Sequence, residues 1–289
     1  MKTTTMKHSI LAIIMLCFIG LSTNAQINDM FGSPPPALKT KAPQGDYNKT
    51  DAEGRKQGAW QKNYPSGKPS YKATFKDNKP VGEMIRYYPS GKMSARIMYD
   101  DKGEKGKAEL FNENGIVIGK GNYLGTQKDS IWQFFTDKGI LSNIESYING
   151  KKNGKSYTYF INGSVSEIIN WNNDLKEGAW EQYFENGIKK VQSQYKNGNL
   201  HGKYFYYYTD GKIEIEGQYF DGLEDGIWLF MNSNGGLNYK LEFDKGKPKK
   251  NELLDKKEQD LFDEFERNKG KLTDPETLRN DPDAVLYGR

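Results

Sequence analysis

Gly178-Ala179-Trp180-Glu181-Gln182-Tyr183-Phe184-Glu185-Asn186-Gly187 is followed, after seven intervening residues, by Tyr195-Lys196-Asn197-Gly198-Asn199-Leu200-His201-Gly202. Gly178 and Gly202 are 24 residues apart, and Gly58, Gly82, Gly106, Gly154 and Gly226 fall on the same grid, whose one vacancy is Ser130. A second series, Gly67, Gly91, Gly115, Gly139, Gly163, Gly187, Gly211 and Gly235, keeps the period without a gap. A third column is aromatic in every copy: Phe75, Tyr99, Tyr123, Tyr147, Trp171, Tyr195, Tyr219 and Phe243. Self-similarity at a fixed period of roughly 20 to 50 residues marks a repeat architecture. Eight units of 24 residues therefore fill 58–249, and 46–56 reads as a half-repeat covering the first edge.

Within a unit, counted from its first glycine as position 0, the pattern is that of strands. Position 15 includes Ala73, Ile97, Ile169 and Leu241, position 17 is the aromatic column, and position 16 between them is polar in every copy except Met98. That alternation predicts a strand with one buried face, with the apolar column at position 11 on the same side. The first half of the unit carries rings at position 2 (Trp60, Trp132, Trp180, Tyr204 and Trp228) and at position 5. A spacing of three puts these two columns on opposite faces unless a bulge intervenes. Asn114-Gly115, Asn162-Gly163, Asn186-Gly187 and Asp210-Gly211 mark a turn inside the unit; Asn149-Gly150, Asn197-Gly198 and Asp221-Gly222 mark one between units. Such pairs favour tight hairpin turns because both residues tolerate positive φ. Each unit is thus one β-hairpin. The fold expected over 46–249 is mostly β: an elongated, single-layer antiparallel array of hairpins, about 75 Å long at about 4.8 Å per strand.

The two ends differ in kind. Residues 1–25 read as a signal peptide: Lys2 and Lys7, then a short apolar run, then a cleavage point between Ala25 and Gln26. Residues 26–45, with Pro34-Pro35-Pro36, read as a proline-rich linker. In 250–289, Leu254, Leu261, Phe262 and Phe265 share one side of a helical period, predicting an amphipathic helix over 252–268 with Asn251 as N-cap. Its expected role is to cover the last open edge of the sheet. Beyond it Val285, Leu286 and Tyr287 form an apolar terminus.

These residues resemble the bacterial variant of the MORN repeat, and the resemblance covers about 46–249. Units 106–129 and 130–153 depart from the pattern, with Gly125 one place early and Ser130 in place of glycine. The resemblance implies a hairpin array used for protein contact, in some relatives for lipid contact, and it carries an antitoxin label.

Chemistry is sparse. His201 is the one histidine after residue 25 and sits at a turn; Cys17, the one cysteine, lies in the leader. That leaves no zinc ligand set, no thiolate nucleophile and no Ser–His–Asp arrangement in a dry pocket. Asn172-Asn173-Asp174 lacks the spacing of a calcium loop. No catalytic residue, cofactor or metal is therefore expected. Without Lys2 and Lys7 the 42 basic residues fall to 40 against 38 acidic ones, a balance that does not draw in nucleic acid or anionic lipid.

The expected function is an exported, non-catalytic scaffold, in the periplasm, associated with the outer membrane or extracellular. It would bind another envelope or surface protein. The candidate binding surface is the position-5 column: Tyr87, Phe111, Phe135, Tyr159, Tyr183 and Tyr207. A glycan of the cell wall is the second candidate partner, lipid a disfavoured third, and an antitoxin or immunity role a special case of the first.

Overall fold

The computed structural model of the chain describes residues 46–249 together with Asp263 and Glu266. The expected leader over 1–25 and linker over 26–45 lie outside the described residues, as does the 252–268 stretch apart from Asp263 and Glu266, which are helical and exposed.

Across 46–249 the backbone forms one antiparallel sheet of 21 strands, five of them only two residues long. The first unit pairs Lys56–Asn63 with Pro69–Lys76. Lys79–Tyr87 with Met93–Tyr99 makes the second, and the order continues without crossover to Gly226–Met231 with Leu237–Asp244. Each hairpin also pairs with the next, as Pro69–Lys76 does with Lys79–Tyr87. The sheet stays open. Its first edge is covered by Lys49–Thr50 on Lys56 and Gln57, its last by Lys247–Pro248 on Phe243 and Asp244.

The two turns of a unit differ, which corrects part of the sequence reading. The loop between Tyr99 and Lys105 is longer, with Gly103 alone left-handed at φ 65°. At most other junctions between units both central residues are left-handed: Asn149 and Gly150 at φ 49° and 80°, Asp221 and Gly222 at 50° and 85°. These are two-residue loops of the mirror-image type whose twist matches the strands. Inside a unit the loop has three residues. Tyr64 N–H donates to Lys68 O and Gly67 N–H to Tyr64 O, so only the glycine needs positive φ, 82° at Gly67. Asn114, Asn162, Asn186 and Asp210 accordingly keep ordinary backbone. The displaced glycine is explained too: Gly125 has φ 59° and Thr126 is not left-handed, a turn with glycine first. Ser130 adopts φ 59°, the left-handed conformation that its grid partners other than Gly106 reach with glycine, and pairing continues through it.

A β-bulge recurs in the second strand of the hairpins. Position 4 pairs with position 13 and position 5 with position 11, as in Arg86↔Ala95 and Tyr87↔Met93, leaving position 12 unmatched. Cross-strand partners share a face, so the bulge moves position 11 to the face of position 5. The expectation that position 11 sides with 15 and 17 is therefore wrong. Positions 2 and 5 do lie on opposite faces, because the extra residue sits in the other strand.

One face carries the core. Every buried apolar side chain among the described residues, from Ala73 and Phe75 to Leu241 and Phe243, sits at position 2, 4, 13, 15 or 17. Position-2 rings wedge between position-17 rings edge-on. Trp228 meets Tyr219 at 5.1 Å and Phe243 at 6.0 Å; Trp132 meets Tyr123 at 5.1 Å. Such pairs contribute about 0.5–1.5 kcal/mol beyond their buried area. The position-2 side chain also lies over position 15 of the preceding unit, and sizes there compensate. Gly121 lies beneath Trp132 and Gly217 beneath Trp228, whereas Ile97 faces Ala108. Lysines at position 22 close the core's rim: Lys128 Nζ is 4.8 Å from the Trp132 ring and 4.6 Å from Phe134, and Lys152 Nζ 4.6 Å from Trp171. Each cation–π contact contributes about 0.5–1 kcal/mol. Burial, partly offset by Glu145, lowers the Lys128 pKa. Glu145, itself buried, accepts from the Tyr147 hydroxyl at 2.5 Å and pairs with Lys152 at 3.2 Å.

Candidate functional site

The face opposite the core is built from positions 1, 3, 5, 11, 14 and 16. All six rings of the position-5 column lie there, half-buried. Each stands beside its position-11 partner: Tyr87 beside Met93, Phe111 beside Val117, Phe135 beside Leu141, Tyr159 beside Val165, Tyr183 beside Lys189 and Tyr207 beside Ile213. The column is therefore one ladder in space, but its surroundings divide it into three parts.

Toward the chain's start, Tyr87 and Phe111 are flanked by ion pairs. Arg96 meets Glu83 at 3.1 Å and Lys120 meets Glu109 at 3.6 Å. Burial, then the Glu83 charge, raises the Tyr87 pKa. A shallow open depression beside Phe111 is lined by Lys92, Met93, Glu113 and Asn114. Toward the end, Tyr183 and Tyr207 belong to a polar network. The Tyr183 hydroxyl donates to Glu181 at 2.7 Å, Lys189 Nζ donates to Glu181 at 2.7 Å and to Gln192 at 2.9 Å, and the Tyr207 hydroxyl reaches Gln192 at 3.4 Å. Burial pushes the Glu181 carboxyl up, but the hydrogen bonds from Lys189 and Tyr183 outweigh it and hold it below its usual value. Burial and the Glu181 bond together raise the Tyr183 pKa.

The middle is apolar. Tyr157 pairs with Ile144 on one side and Ile168 on the other, and Phe135, Leu141, Tyr159 and Val165 adjoin them on the same face. Burial, then the neighbouring Tyr157, pushes the Tyr159 phenol up to about 12. Nearer the inter-unit turns, Ile131 and Ile148 extend this face as exposed side chains, 38% and 52% accessible. Position 14 is Lys72, Arg96 and Lys120, then Ile144 and Ile168, then Gln192, Glu216 and Lys240, so it is apolar only in the two central units. The sequence reading singled out position 5 and missed positions 3 and 14. The same 24-residue count would have exposed them, but not their shared face, because the bulge sets which columns meet.

His201 lies at an inter-unit turn, its ring 5.2 Å from Phe220 and its Nδ1 3.4 Å from Asp221. Among the described residues no three His, Cys, Asp or Glu side chains gather as a metal site.

An open sheet with one ring-packed face and one accessible face is a hairpin-repeat scaffold. Four of its segments, 56–77, 80–101, 176–197 and 200–221, match the model of the MORN repeat variant. Repeats of this type serve protein and lipid interaction and are not a catalytic kind. The matched segments leave 102–175, where the apolar middle lies, and the residues after 221 unmatched. A comparison with curated proteins found no match. Among solved structures, the crystal structure of TcdB2-TccC3-Cdc42 is similar at 11% identity with a TM-score of 0.14. That likeness covers 67% of this chain and 15% of that one.

Proposed function

We propose that the protein is an exported, non-catalytic scaffold that binds another protein of the cell envelope or surface. The contact runs through the face opposite its core, centred on Phe135, Ile144, Tyr157, Tyr159 and Ile168. One observation carries this reading: a contiguous apolar centre in units 130–153 and 154–177, bordered by ion pairs on both sides. Apolar centres with polar rims are the anatomy of protein interfaces. The rings there also lose little entropy on binding, since pairing on both sides already holds Tyr157. The aromatic core on the other face is used up in holding the single layer together. Export rests on the pattern of residues 1–25.

A photo-crosslinking residue placed at Ile144 or Ile168 in the native cell should join one distinct envelope protein. The same residue at Lys72 or Lys240, on this face but outside the centre, should not. Equal products at all four positions, or none at any, refute the surface. Retention of the wild-type protein on purified peptidoglycan, abolished by Tyr157→Ser, would move the assignment to glycan binding. Recovery of the chain in the cytoplasm with residues 1–25 intact would refute export.

A further inference from the structure

One row of side chains on the core face changes character midway. Positions 4 and 13 meet across successive strands, so they line up along the whole array. From Ala95 the row runs through Leu110, Gly119 and Phe134. From Val191 it runs through Tyr206, Ile215, Phe230 and Tyr239. Between these stretches its members are polar: Asn143, Thr158, Glu167 and Gln182, each opposite the next. Phe134 adjoins Asn143 at one end and Val191 adjoins Gln182 at the other. The core divides here too, with one buried apolar cluster ending at Tyr147 and another beginning at Val191. At about 4.8 Å per strand the polar stretch spans about 14 Å.

Hydrogen bonds inside the row use only part of its capacity. Asn143 Nδ2 donates to the Thr158 hydroxyl at 3.4 Å. Trp180 Nε1 and Gln182 Nε2 both donate to Oε1 of Glu167, at 2.8 Å and 3.2 Å. Oε2 of Glu167, Oε1 of Gln182 and the Thr158 proton have no partner among the described residues, and Glu167 forms no ion pair there. All four side chains of the stretch are half-buried and so remain in reach of solvent. One rung toward the inter-unit turn, Ser156 occupies position 2, where Trp132, Trp180 and Trp228 place an indole. Ser156 is 2% accessible, and its Oγ has no hydrogen-bond partner. A buried polar atom left unpaired calls for a partner supplied from outside the chain.

We propose that this strip binds a short neutral oligosaccharide. Its open groups are two acceptors, on Glu167 and Gln182, and two hydroxyls, on Thr158 and Ser156. Vicinal sugar hydroxyls each donate and accept, so they serve both kinds of group at once. Glu167 repels an anion, and a simple cation leaves both hydroxyl protons unused. Phe134 and Tyr206 supply apolar carbon near the two ends for the C–H faces of a sugar. Apolar lining around a few placed polar groups is the usual make-up of a small-ligand site. The strip lies on the face opposite the proposed protein contact, so the two sites are independent.

Isothermal titration of the full-length chain tests this, with chitohexaose, maltohexaose, cellohexaose and soluble glycan strands released from peptidoglycan. At least one of these should bind the wild type. Thr158→Val with Gln182→Met, which keeps the Trp180–Glu167 bond, should weaken that binding at least tenfold. Ile168→Thr, on the opposite face, should leave it unchanged. Should the double variant lose its sheet signal in circular dichroism, Thr158→Val alone is judged by the same criteria with at least a threefold loss. Binding of none of the four sugars, unchanged affinity in the strip variant, or an equal loss in Ile168→Thr overturns the proposal. So does binding of trilysine in place of the sugars, which would assign the strip to a cationic ligand.

Discussion

Replacing Gly217 by alanine adds one methyl group to a strand, and two effects compete over the sign of the outcome. Gly217 lies outside the positive-φ region, so alanine fits its backbone. Restricting the unfolded chain should by itself stabilise by about 0.4–1 kcal/mol. Against that, the new Cβ would lie 2.3 Å from Cδ2 and 2.5 Å from Cε2 of Trp228. The indole is 2% accessible and is held by Tyr204 at 5.5 Å, Tyr219 at 5.1 Å and Phe243 at 6.0 Å, so it cannot retreat without moving a ring. Overpacking of this kind costs about 1–3 kcal/mol, and so short a contact belongs at the upper end. The net expectation is a loss of about 2 kcal/mol, or about thirtyfold in the local opening constant. Because units of an array open locally, the assay is hydrogen exchange resolved to 213–220 and 226–231 rather than a global melt. In the Gly217→Ala background, Trp228→Leu should recover part of the loss, a coupling that marks the pair as the cause. A Gly217→Ala protein as stable as the wild type, or more so, refutes the seat of the ring.

Two further outcomes follow from backbone and burial. Ser130→Gly removes a left-handed serine at φ 59° and should gain about 0.5–1 kcal/mol in chemical denaturation, despite losing the exposed Ser130–Asp129 hydrogen bond of 2.8 Å. A lower midpoint would show that this position does not need glycine's freedom. Burial raises the phenols of Tyr204 and Tyr219 and takes Tyr159 to about 12. A raised pKa means that the fold favours the neutral ring. Its contribution is complete below the ordinary value near pH 10 and is lost as pH climbs through about 12. Phenolate absorbance should therefore rise in two stages, the second together with loss of the sheet signal in circular dichroism; a single stage near pH 10 with the sheet intact contradicts it.

Most of the fold was legible because its rules are local. A left-handed residue in a turn and side-chain alternation along a strand each involve a few neighbouring residues, and a 24-residue period repeats them eight times. The candidate surface was legible only in part. Position 5 was readable as a ring column, yet Phe135 and Tyr159 lie among apolar neighbours while Tyr183 and Tyr207 are tied into the Glu181–Lys189–Gln192 network. That difference comes from columns 3 and 14, which reach the rings only across strands.

The amino-acid order by itself determined the hairpins, their number, the places where the chain turns and the ring columns, because φ preference and alternation are properties of adjacent residues. Only the tertiary structure decided which columns share a face, since one unmatched residue at position 12 moves position 11 to the other side. It also decided why Gly121 and Gly217 are small, because the indole each must admit arrives from the following unit. Registry between strands is a long-range choice, made by how side chains of neighbouring units fit together.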